Sequence, residues 1–499
     1  MIISAAGLTR TLEYDICVIG SGPAALTFAG QFLEGRSNLK VLLVESGETL
    51  DPAYSNEHDE SLSRRYNDLQ TSAQALYGGR LSGWLETNKP DYLTESRLRA
   101  FGGTGNVWSG WLCAMERLDL ERGKWPVSYA QMMSFYEKVC AYYQIPSRWC
   151  LDAQVQDAGG VWQSLPLPSQ TFRTRPLLAR RINFGQLFRE RLIHSENVDV
   201  LLGANAVRID TVACGANQSR SAHQLAFASV TEAPSSSIEH KVSASAFVIA
   251  AGCIESTRLL EVSQLGAASG ALGQYFQEHF YIWNAGSFHL TENCAHYRPL
   301  YFQKKTLSVS ARDSVVGMIV PTARYLTEKG GGTFRAILGG GPGIPGTLNL
   351  CCEQLPAHSN RIVLDNVATH PRTAAEARVH AHNELSAADT KTIENAVMSL
   401  GESLLSSGLI THFKPAPFDV VPTQWQAPHR LAPGNHPSGT TRMSSDPSQG
   451  VVGSDCKVHG VDNVYVASTS VFPTAGYANP TLTLMALAFR LAEKLQEHG

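Results

Sequence analysis

The length of 499 residues exceeds what one hydrophobic core usually supports, so we expect two domains. Hydrophobic residues make up 43% of the chain, charged residues 17%, and the formal net charge is −3. This balance is typical of a globular enzyme and argues against nucleic acid or an anionic membrane surface as a partner. The N-terminus lacks a basic segment followed by a sustained apolar run, and no stretch reaches the ~18 apolar residues of a membrane span, so we expect a cytoplasmic protein without a membrane segment.

The ten cysteines are scattered, without a C-x-x-C pair or a Cys/His zinc spacing. We therefore expect buried or unreactive thiols and no metal site. The one adjacent pair, Cys351 and Cys352, lies in a predicted strand, where neighbouring side chains point to opposite faces, so the two do not share a metal.

A predicted strand at residues 16–19 passes through the turn Gly20-Ser-Gly22-Pro-Ala-Ala25 into a predicted helix. Gly20 permits the tight turn, Gly22 lets the backbone approach a pyrophosphate, and the small Ala25 lets the helix pack closely on the strand. Amide groups at the helix start would bind the phosphates. The pattern predicts a dinucleotide site, and the alternative is an ordinary Gly-rich turn in a doubly wound sheet.

A second predicted strand, at residues 39–44, ends at Glu45. An acid at this position accepts hydrogen bonds from ribose hydroxyls and disfavours a 2′-phosphate. FAD and NAD cannot be told apart at this step. Further along, a loop at 99–108 with three glycines suits close wrapping around a flat polar ligand. Strands at 197–209 and 241–253 and a helix at 255–260 suggest that the nucleotide domain is discontinuous in sequence.

Residues 116–176 and 281–428 carry no nucleotide signature and alternate strand-like runs with polar turns, which suits a separate substrate domain. Residues 347–355 and 360–364 are predicted to be neighbouring strands. A helix is predicted at 386–400, where Ser386 and Asp389 form a capping pattern. The Gly-rich stretch 330–346 is either a lid over the site or a surface loop.

Four aromatic side chains either line a pocket or pack in the core, and none of them identifies the substrate. They are Trp84, Trp108, Trp111 and Tyr477.

The motifs above, together with residues 272–279 and the long stretch 436–487, resemble in the same order those of the glucose-methanol-choline (GMC) flavoprotein oxidoreductases. The loop at 102–108 and residues 477–483 look like the versions found in the branch that oxidises pyranose, fructose and gluconate. The resemblance implies an α/β fold with a Rossmann-like FAD-binding domain in segments 1–115, 177–280 and 429–499. It also implies a substrate domain, 116–176 and 281–428, with a large antiparallel sheet backed by helices.

Oxidation of an alcohol requires a base that takes the hydroxyl proton while a hydride leaves for flavin N5. The resemblance assigns the base to His436 and gives Asn479 the task of holding the same oxygen by a hydrogen bond. Alternatively, Asn479 caps the helix that follows, with Pro480 at its first position. The other histidines, His279 and His459 among them, are interpreted as satisfied surface or core residues.

Carried over position by position, the resemblance also predicts the FAD contacts. They are Gly20, Ser21, Gly22, Pro23, Ala24, Ala25, Glu45, Ser46, Arg99, Gly102, Gly103, Thr104, Asn106, Val107, Val207, Ala251, Gly252, Ser468, Ala478, Pro480 and Thr481.

Three positions qualify the cofactor prediction. Val107 stands where pyranose oxidases carry the His that attaches FAD covalently, so we expect non-covalent FAD. Cys214 stands alone where related membrane-bound dehydrogenases hold an iron–sulfur cluster on closely spaced cysteines, so no cluster and no metal are expected. The family often has Gly where Ser468 stands, which brings a side chain close to the pyrophosphate.

The sequence thus predicts an FAD-dependent oxidoreductase acting on a CH–OH group of an alcohol or sugar. The electron acceptor is oxygen or, alternatively, a quinone, a dye or a protein. Two alternatives stay open. One is a flavin-containing lyase of the same family, and the other is an electron-relay large subunit that needs partner subunits and is exported with one of them.

Overall fold

The computed structural model describes residues 1–5, 8, 11–33, 37–50, 79–151, 162–214, 219–230, 240–294, 297–301, 305–307, 310–341, 344–365, 378–417 and 430–497. The strands, in chain order, are β1 (Ile2–Ser4), β2 (Leu12–Ile19), β3 (Val41–Val44), β4 (Gly79–Gly83), β5 (Trp111–Leu112), β6 (Phe172–Arg180), β7 (Val198–Leu202), β8 (Ala204–Cys214), β9 (Ser219–Ser229), β10 (His240–Ile249), β11 (His279–Leu290), β12 (Lys305–Leu307), β13 (Ser310–Pro321), β14 (Phe334–Gly341), β15 (Ile344–Glu353), β16 (Arg361–Leu364), β17 (Val379–Asn383), β18 (Ile410–Pro415), β19 (Arg430–Pro433) and β20 (Val464–Val466).

The α-helices are Pro23–Ala29, Trp84–Asn88, Tyr92–Glu95, Arg117–Arg122, Tyr129–Tyr142, Phe184–Leu192, Gly252–Val262, Arg298–Tyr301, Ala323–Lys329, Ala387–Ser406 and Pro480–Glu497. Short 3-10 helices lie at Gly30–Phe32, Gly103–Asn106, Ser147–Trp149, Ala267–Ser269, Glu292–Cys294 and Thr469–Val471. No described helix combines the length and the apolar character that a membrane crossing requires.

The first large sheet has, among the described residues, eight strands in the order β1-β7-β3-β2-β10-β9-β8, with β20 also on β10. From β1 to β10 the strands run parallel, while β9 and β8 are antiparallel. The central strand β3 is buried throughout, as expected for a parallel strand covered on both faces. The carboxyl ends of β2, β3 and β10 meet at one edge, where an α/β sheet binds its ligand.

The second large sheet is antiparallel, in the order β18-β11-β15-β14-β13-β6-β5, with β12 on β13 and β19 on β11. The helix Ala387–Ser406 packs against its strands β15 and β18. The Ser386 side chain accepts from the Asp389 amide, and the Asp389 carboxylate accepts from the Ser386 amide, so the predicted capping box is confirmed. The predicted α/β fold class, with a parallel sheet from discontinuous segments and a large antiparallel sheet, is confirmed as well.

The prediction that 347–355 and 360–364 are neighbouring strands is wrong. β15 lies in the large antiparallel sheet, whereas β16 joins β17 and β4 in a separate three-stranded sheet. The chain leaves the antiparallel sheet where the buried side-chain amides of Gln354 and Asn360 both donate to the carbonyl of Glu384, just after β17. Single polar side chains make these hydrogen bonds and leave no periodic pattern in the sequence, so the change from one sheet to another could not be predicted.

The Gly-rich stretch 330–346 is mostly strand and not an irregular loop, since it contains β14 and the start of β15. Residues 342 and 343 lie outside the described residues, and no residue of 330–346 lines the cavity described below. The predicted strand 197–209 is divided into β7 and β8 at Gly203, whose φ is +68°.

The strands of the parallel sheet all fall in the segments predicted for the FAD domain. Several strands of the antiparallel sheet fall in the predicted substrate segments, but β5 and β19 lie just outside them, and β6 and β11 span the boundaries at residues 176 and 281. The division into two domains stays a prediction.

Candidate active site

A cavity of about 420 Å³ opens at the carboxyl ends of β2, β3 and β10. Most of the residues predicted for the site line it: Gly20, Ser21, Gly22, Pro23, Ala24, Glu45, Ser46, Arg99, Gly103, Thr104, Val107, Ala251, Gly252, His436, Ser468, Asn479, Pro480 and Thr481. The other five, Ala25, Gly102, Asn106, Val207 and Ala478, are not among the residues that line it. Segments from both ends of the chain therefore share one cavity.

The glycine turn after β2 has the shape that close approach of a ligand requires. Gly20 has a φ of +105°, and a Cβ there would lie 2.6 Å from the carbonyl oxygen of Ala250. A Cβ on Gly22 would meet no atom within 4 Å, so this backbone borders open space, and Gly103 packs directly on it. No side chain caps the helix Pro23–Ala29. The cradle leaves room and amide groups for a pyrophosphate.

Glu45 lies buried at the end of β3. Ser21 Oγ donates to one carboxylate oxygen at 2.6 Å, and the amide of Gly47 donates to the other at 2.8 Å. Burial raises the pKa of Glu45, and these hydrogen bonds oppose the rise. The carboxylate is thus held in place, with lone pairs available for ribose hydroxyls.

A buried ionic cluster that the sequence analysis missed lines the cavity near Glu45. Glu255 accepts from Arg97 at 2.9 Å, from Arg99 at 3.2 Å and from Arg258 at 2.8 Å. Burial alone would raise the pKa of Glu255, but the three guanidinium groups outweigh it and hold that pKa below its usual range. The spacing of Glu255 and Arg258, one helical turn apart, was the available sequence signal.

His436, which lines the cavity, lies beside a second histidine, His279. The two Nδ1 atoms are 2.8 Å apart, and the rings meet edge to face. His279 is fully buried, and its Nε2 is 2.6 Å from the carbonyl oxygen of Gly476. The interpretation of His279 as a satisfied core residue is therefore incomplete, because it contacts the predicted base.

Glu278 fixes the backbone of both histidines. Its carboxylate accepts from the amide of His436 at 2.7 and 2.9 Å and from the amide of His279 at 2.8 Å, and it also accepts from the hydroxyl of Tyr92. Burial raises the pKa of Glu278 to about 7 despite these donors. Glu278 lies in the stretch 272–279 that carries part of the family resemblance, but its contact with His436 depends on long-range packing.

The loop that carries Asn479 is held from the antiparallel sheet. The amide of Gly476 donates to Glu353 at 3.1 Å, Arg335 donates to the carbonyl of Tyr477, and Arg175 donates to the Tyr477 hydroxyl at 2.5 Å. Tyr477 is thereby a buried structural residue and not a pocket wall. Glu353, Arg335 and Arg175 thus hold the loop against the antiparallel sheet, just before the helix Pro480–Glu497 begins.

Of the other aromatic candidates, Trp108 and Trp111 line the cavity, whereas Trp84 is buried and donates to Asn383. The helix Pro480–Glu497 begins at Pro480, as predicted, but the side-chain oxygen of the buried Asn479 has no hydrogen-bond partner. Asn479 therefore does not cap the helix through that oxygen, and a buried acceptor is left available in the cavity wall.

Residues 356–488 match the family model described as GMC oxidoreductase. The 6'''-hydroxyparomomycin C oxidase of Streptomyces lividus is 25% identical over 98% of this chain and 92% of that protein. The C-glycoside 3-oxidase of Arthrobacter globiformis is 30% identical over 31% of this chain and 28% of its own length. The pyranose 2-oxidase of Tricholoma matsutake is 40% identical over 13% of this chain and 12% of its own length.

Two solved structures are similar along nearly the whole chain. Formate oxidase of Aspergillus oryzae, from a study of its FAD modification, has a TM-score of 0.60 at 13% identity and covers 98% of this chain and 99% of its own. Pyridoxine 4-oxidase from Mesorbium loti has a TM-score of 0.56 at 16% identity and covers 97% of this chain and 100% of its own. At these identities the likeness establishes the fold. The family model and the sequence relatives thus show that the chain is similar to the GMC oxidoreductases, with residues 356–488 matching the family itself.

Proposed function

We propose that this protein is an FAD-dependent oxidoreductase that oxidises a CH–OH group of an alcohol or sugar, with His436 as the base. The observation that carries the proposal is that His436 and Asn479 line the same cavity as the glycine turn after β2. A base, a hydrogen-bonding amide and a nucleotide cradle are the three parts that this chemistry requires.

The cavity fits FAD. The open space beside Gly22 and the uncapped helix Pro23–Ala29 suit the pyrophosphate, and Glu45 suits a ribose. When bound, FAD supplies an acceptor for the hydride of the carbinol. Val107 lines the cavity and offers no nucleophile, which supports non-covalent binding.

His436 is suited to accept a proton at neutral pH. Burial, with smaller contributions from His279 and Arg335, lowers its pKa well below the usual value, so the ring is neutral and one nitrogen carries a lone pair. The hydroxyl proton of the substrate would pass to that nitrogen as the carbonyl forms. The side-chain amide group of Asn479, which lines the same cavity, would donate a hydrogen bond to the hydroxyl oxygen and fix it beforehand.

Sugars are the proposed substrate class within the alcohols. The proposal is supported by the relatives, because two of the three named above, a C-glycoside oxidase and a pyranose oxidase, act on sugars by their names, and the paromomycin relative is an oxidase as well. None of the three is a lyase, so the lyase alternative gains no support. Residues 116–176 and 281–428 are proposed to form the substrate domain.

The test is an anaerobic titration of the purified protein with sugars, aminoglycosides and simple alcohols, followed in the visible spectrum. We expect an oxidised flavin band that one class of compound bleaches, and extraction into acid should release the flavin. His436→Gln should retain the band and lose bleaching, while His459→Gln, a histidine outside the cavity, serves as the matched control. Absence of flavin, or bleaching at the wild-type rate in His436→Gln, would overturn the proposal.

Bleached enzyme is then exposed to oxygen or to a quinone. Rapid recovery of the band in oxygen identifies an oxidase, and recovery with quinone alone identifies a dehydrogenase. A chain that carries flavin but is bleached only after a partner protein is added would favour the electron-relay alternative.

A further inference from the structure

The contact between His279 and the carbonyl of Gly476 restricts which nitrogen of His279 carries a proton. A carbonyl oxygen only accepts hydrogen bonds, so the Nε2 atom, 2.6 Å away, must carry the hydrogen. Burial, together with the cation of Arg335, lowers the pKa of His279 to about 4, so the ring is neutral at pH 7. Its other nitrogen, Nδ1, therefore holds a lone pair.

The lone pair on His279 in turn determines which nitrogen of His436 carries a hydrogen. The Nδ1 atoms of His436 and His279 are 2.8 Å apart, and two lone pairs that face each other across this distance would repel. His436 Nδ1 must therefore carry a hydrogen and donate it to His279. Since His436 is neutral as well, its Nε2 atom is left with the lone pair.

The geometry around the pair leaves little freedom for another arrangement. The carboxylate of Glu278 accepts hydrogen bonds from the backbone amides of both histidines, which keeps the two backbones in fixed positions. A Cβ on Gly434 would lie 2.8 Å from His436 Nδ1 and 3.2 Å from His279 Cβ, so backbone packs against the contact. The charged groups that affect this pair from neighbouring elements are Arg335 on β14 and Glu278 before β11.

We propose that His279 is a positioning residue, which holds His436 in the tautomer whose Nε2 lone pair is free to take the substrate proton. The inference rests on the proposed function of His436 as the base. When Nε2 takes the proton from the substrate hydroxyl, Nδ1 keeps its own hydrogen, and the bond to His279 becomes charge-assisted. His279 thus also stabilises the imidazolium that forms while the carbonyl product leaves.

The first test is direct and needs no substrate. The purified protein, with its flavin, is labelled with [15N]histidine, and the chemical shifts of the ring nitrogens distinguish protonated from unprotonated positions. Signals that disappear in His279→Asn and in His436→Gln identify the two residues. We expect a hydrogen on Nδ1 of His436 and on Nε2 of His279. A hydrogen on Nε2 of His436 in the resting protein would overturn the proposal, whether or not a substrate has been found.

The second test measures the anaerobic rate of flavin bleaching at saturating substrate. His279→Phe keeps a ring but removes both nitrogens, and we expect it to lower the rate about 100-fold while the substrate dissociation constant stays within about threefold. His279→Asn retains an oxygen acceptor near the Nδ1 position and should recover about tenfold of that loss. His412→Phe, an exposed histidine on β18, is the matched control and should bleach like the wild type.

The two variants separate a positioning role from a structural one. A purely structural His279 would lose flavin and stability in both variants alike, and bleaching in His279→Asn would be no faster than in His279→Phe, which would refute the proposal. If no compound bleaches the wild type, the proposed function fails, yet the nitrogen shifts still decide the tautomer.

Discussion

Gly434 offers the sharpest perturbation of the histidine pair that leaves both histidines in place. A Cβ at this position would lie 2.8 Å from His436 Nδ1 and 2.9 Å from a ring carbon of Tyr281. Non-bonded atoms of this size prefer roughly 3.4 Å or more, so in Gly434→Ala the imidazole of His436 must retreat by about 0.6 Å. The 2.8 Å contact with His279 then loses its present length or angle, which weakens the hydrogen bond between the two rings.

A displacement of about 1 Å at a reacting group costs up to 100-fold in rate, so we expect flavin bleaching in Gly434→Ala to slow by about 10- to 100-fold. Overpacking should also cost about 1–3 kcal/mol of the free energy of unfolding. The assay is stopped-flow bleaching under anaerobic conditions, with flavin content and urea denaturation measured on the same sample.

Gly460→Ala is the control for Gly434→Ala. Its φ of +76° makes alanine strained there, but a Cβ would meet no atom within 4 Å and the residue does not line the cavity. It should therefore lose stability of a similar size, about 1–2 kcal/mol, and keep the wild-type rate. If Gly434→Ala bleached as fast as Gly460→Ala, the argument that the pair's spacing matters would be wrong.

Three further predictions concern single groups of the site. Because burial lowers the pKa of His436 well below its usual value, the bleaching rate of Glu278→Gln, which lacks the neighbouring titrating carboxyl, should stay flat as the pH falls from 8 to 6, and an inflection near pH 6.5 in that variant would contradict the assigned environment. Asn479→Ala removes an oxygen that caps nothing, so the free energy of unfolding should change by less than about 0.5 kcal/mol while bleaching slows about tenfold or more; a loss of ~1 kcal/mol would instead indicate a helix cap. The pKa of Glu278 is raised from 4.5 to about 7 in the folded protein, so the folded state binds the carboxyl proton more tightly than the unfolded state does. The resulting contribution to the free energy of unfolding is complete below pH 4.5 and is lost as the pH rises through 7. The melting temperature of the wild type should therefore fall relative to that of Glu278→Gln between pH 5 and 8, and parallel curves would rule out this assignment.

The sequence predicts those features whose signals lie close together along the chain. The glycine turn after β2 and the capping box at Ser386 are examples, because each requires only neighbouring residues to make its backbone conformation favourable. The cavity joins the two chain ends as expected, since β2 and β20 both pair with β10.

The partner of His436 could not be predicted in the same way. His279 precedes it by more than 150 residues, and it becomes a neighbour only through the pairing of β11 with β19. His279 ends the motif 272–279, but nothing in that motif distinguishes a histidine that contacts the site from one that packs in the core. The departure of the chain from the antiparallel sheet at Gln354 was missed for a related reason, because the side-chain hydrogen bonds that turn it reach β17 across intervening sequence.

The pairing of β11 with β19 limits where the chain can change in length. Phe280 lies opposite Pro433, and the amide of Gly434 donates to the carbonyl of His279 at 2.8 Å. The register of these two antiparallel strands therefore brings His279 next to His436. Residues 291–429 separate these two strands in sequence, and β15 and β18 of that stretch pair with β11 as well. A change of length in this stretch is therefore expected to leave the histidine pair in place only where it spares β15 and β18. The register of these strands, and not the distance along the chain, thus determines where the two histidines meet.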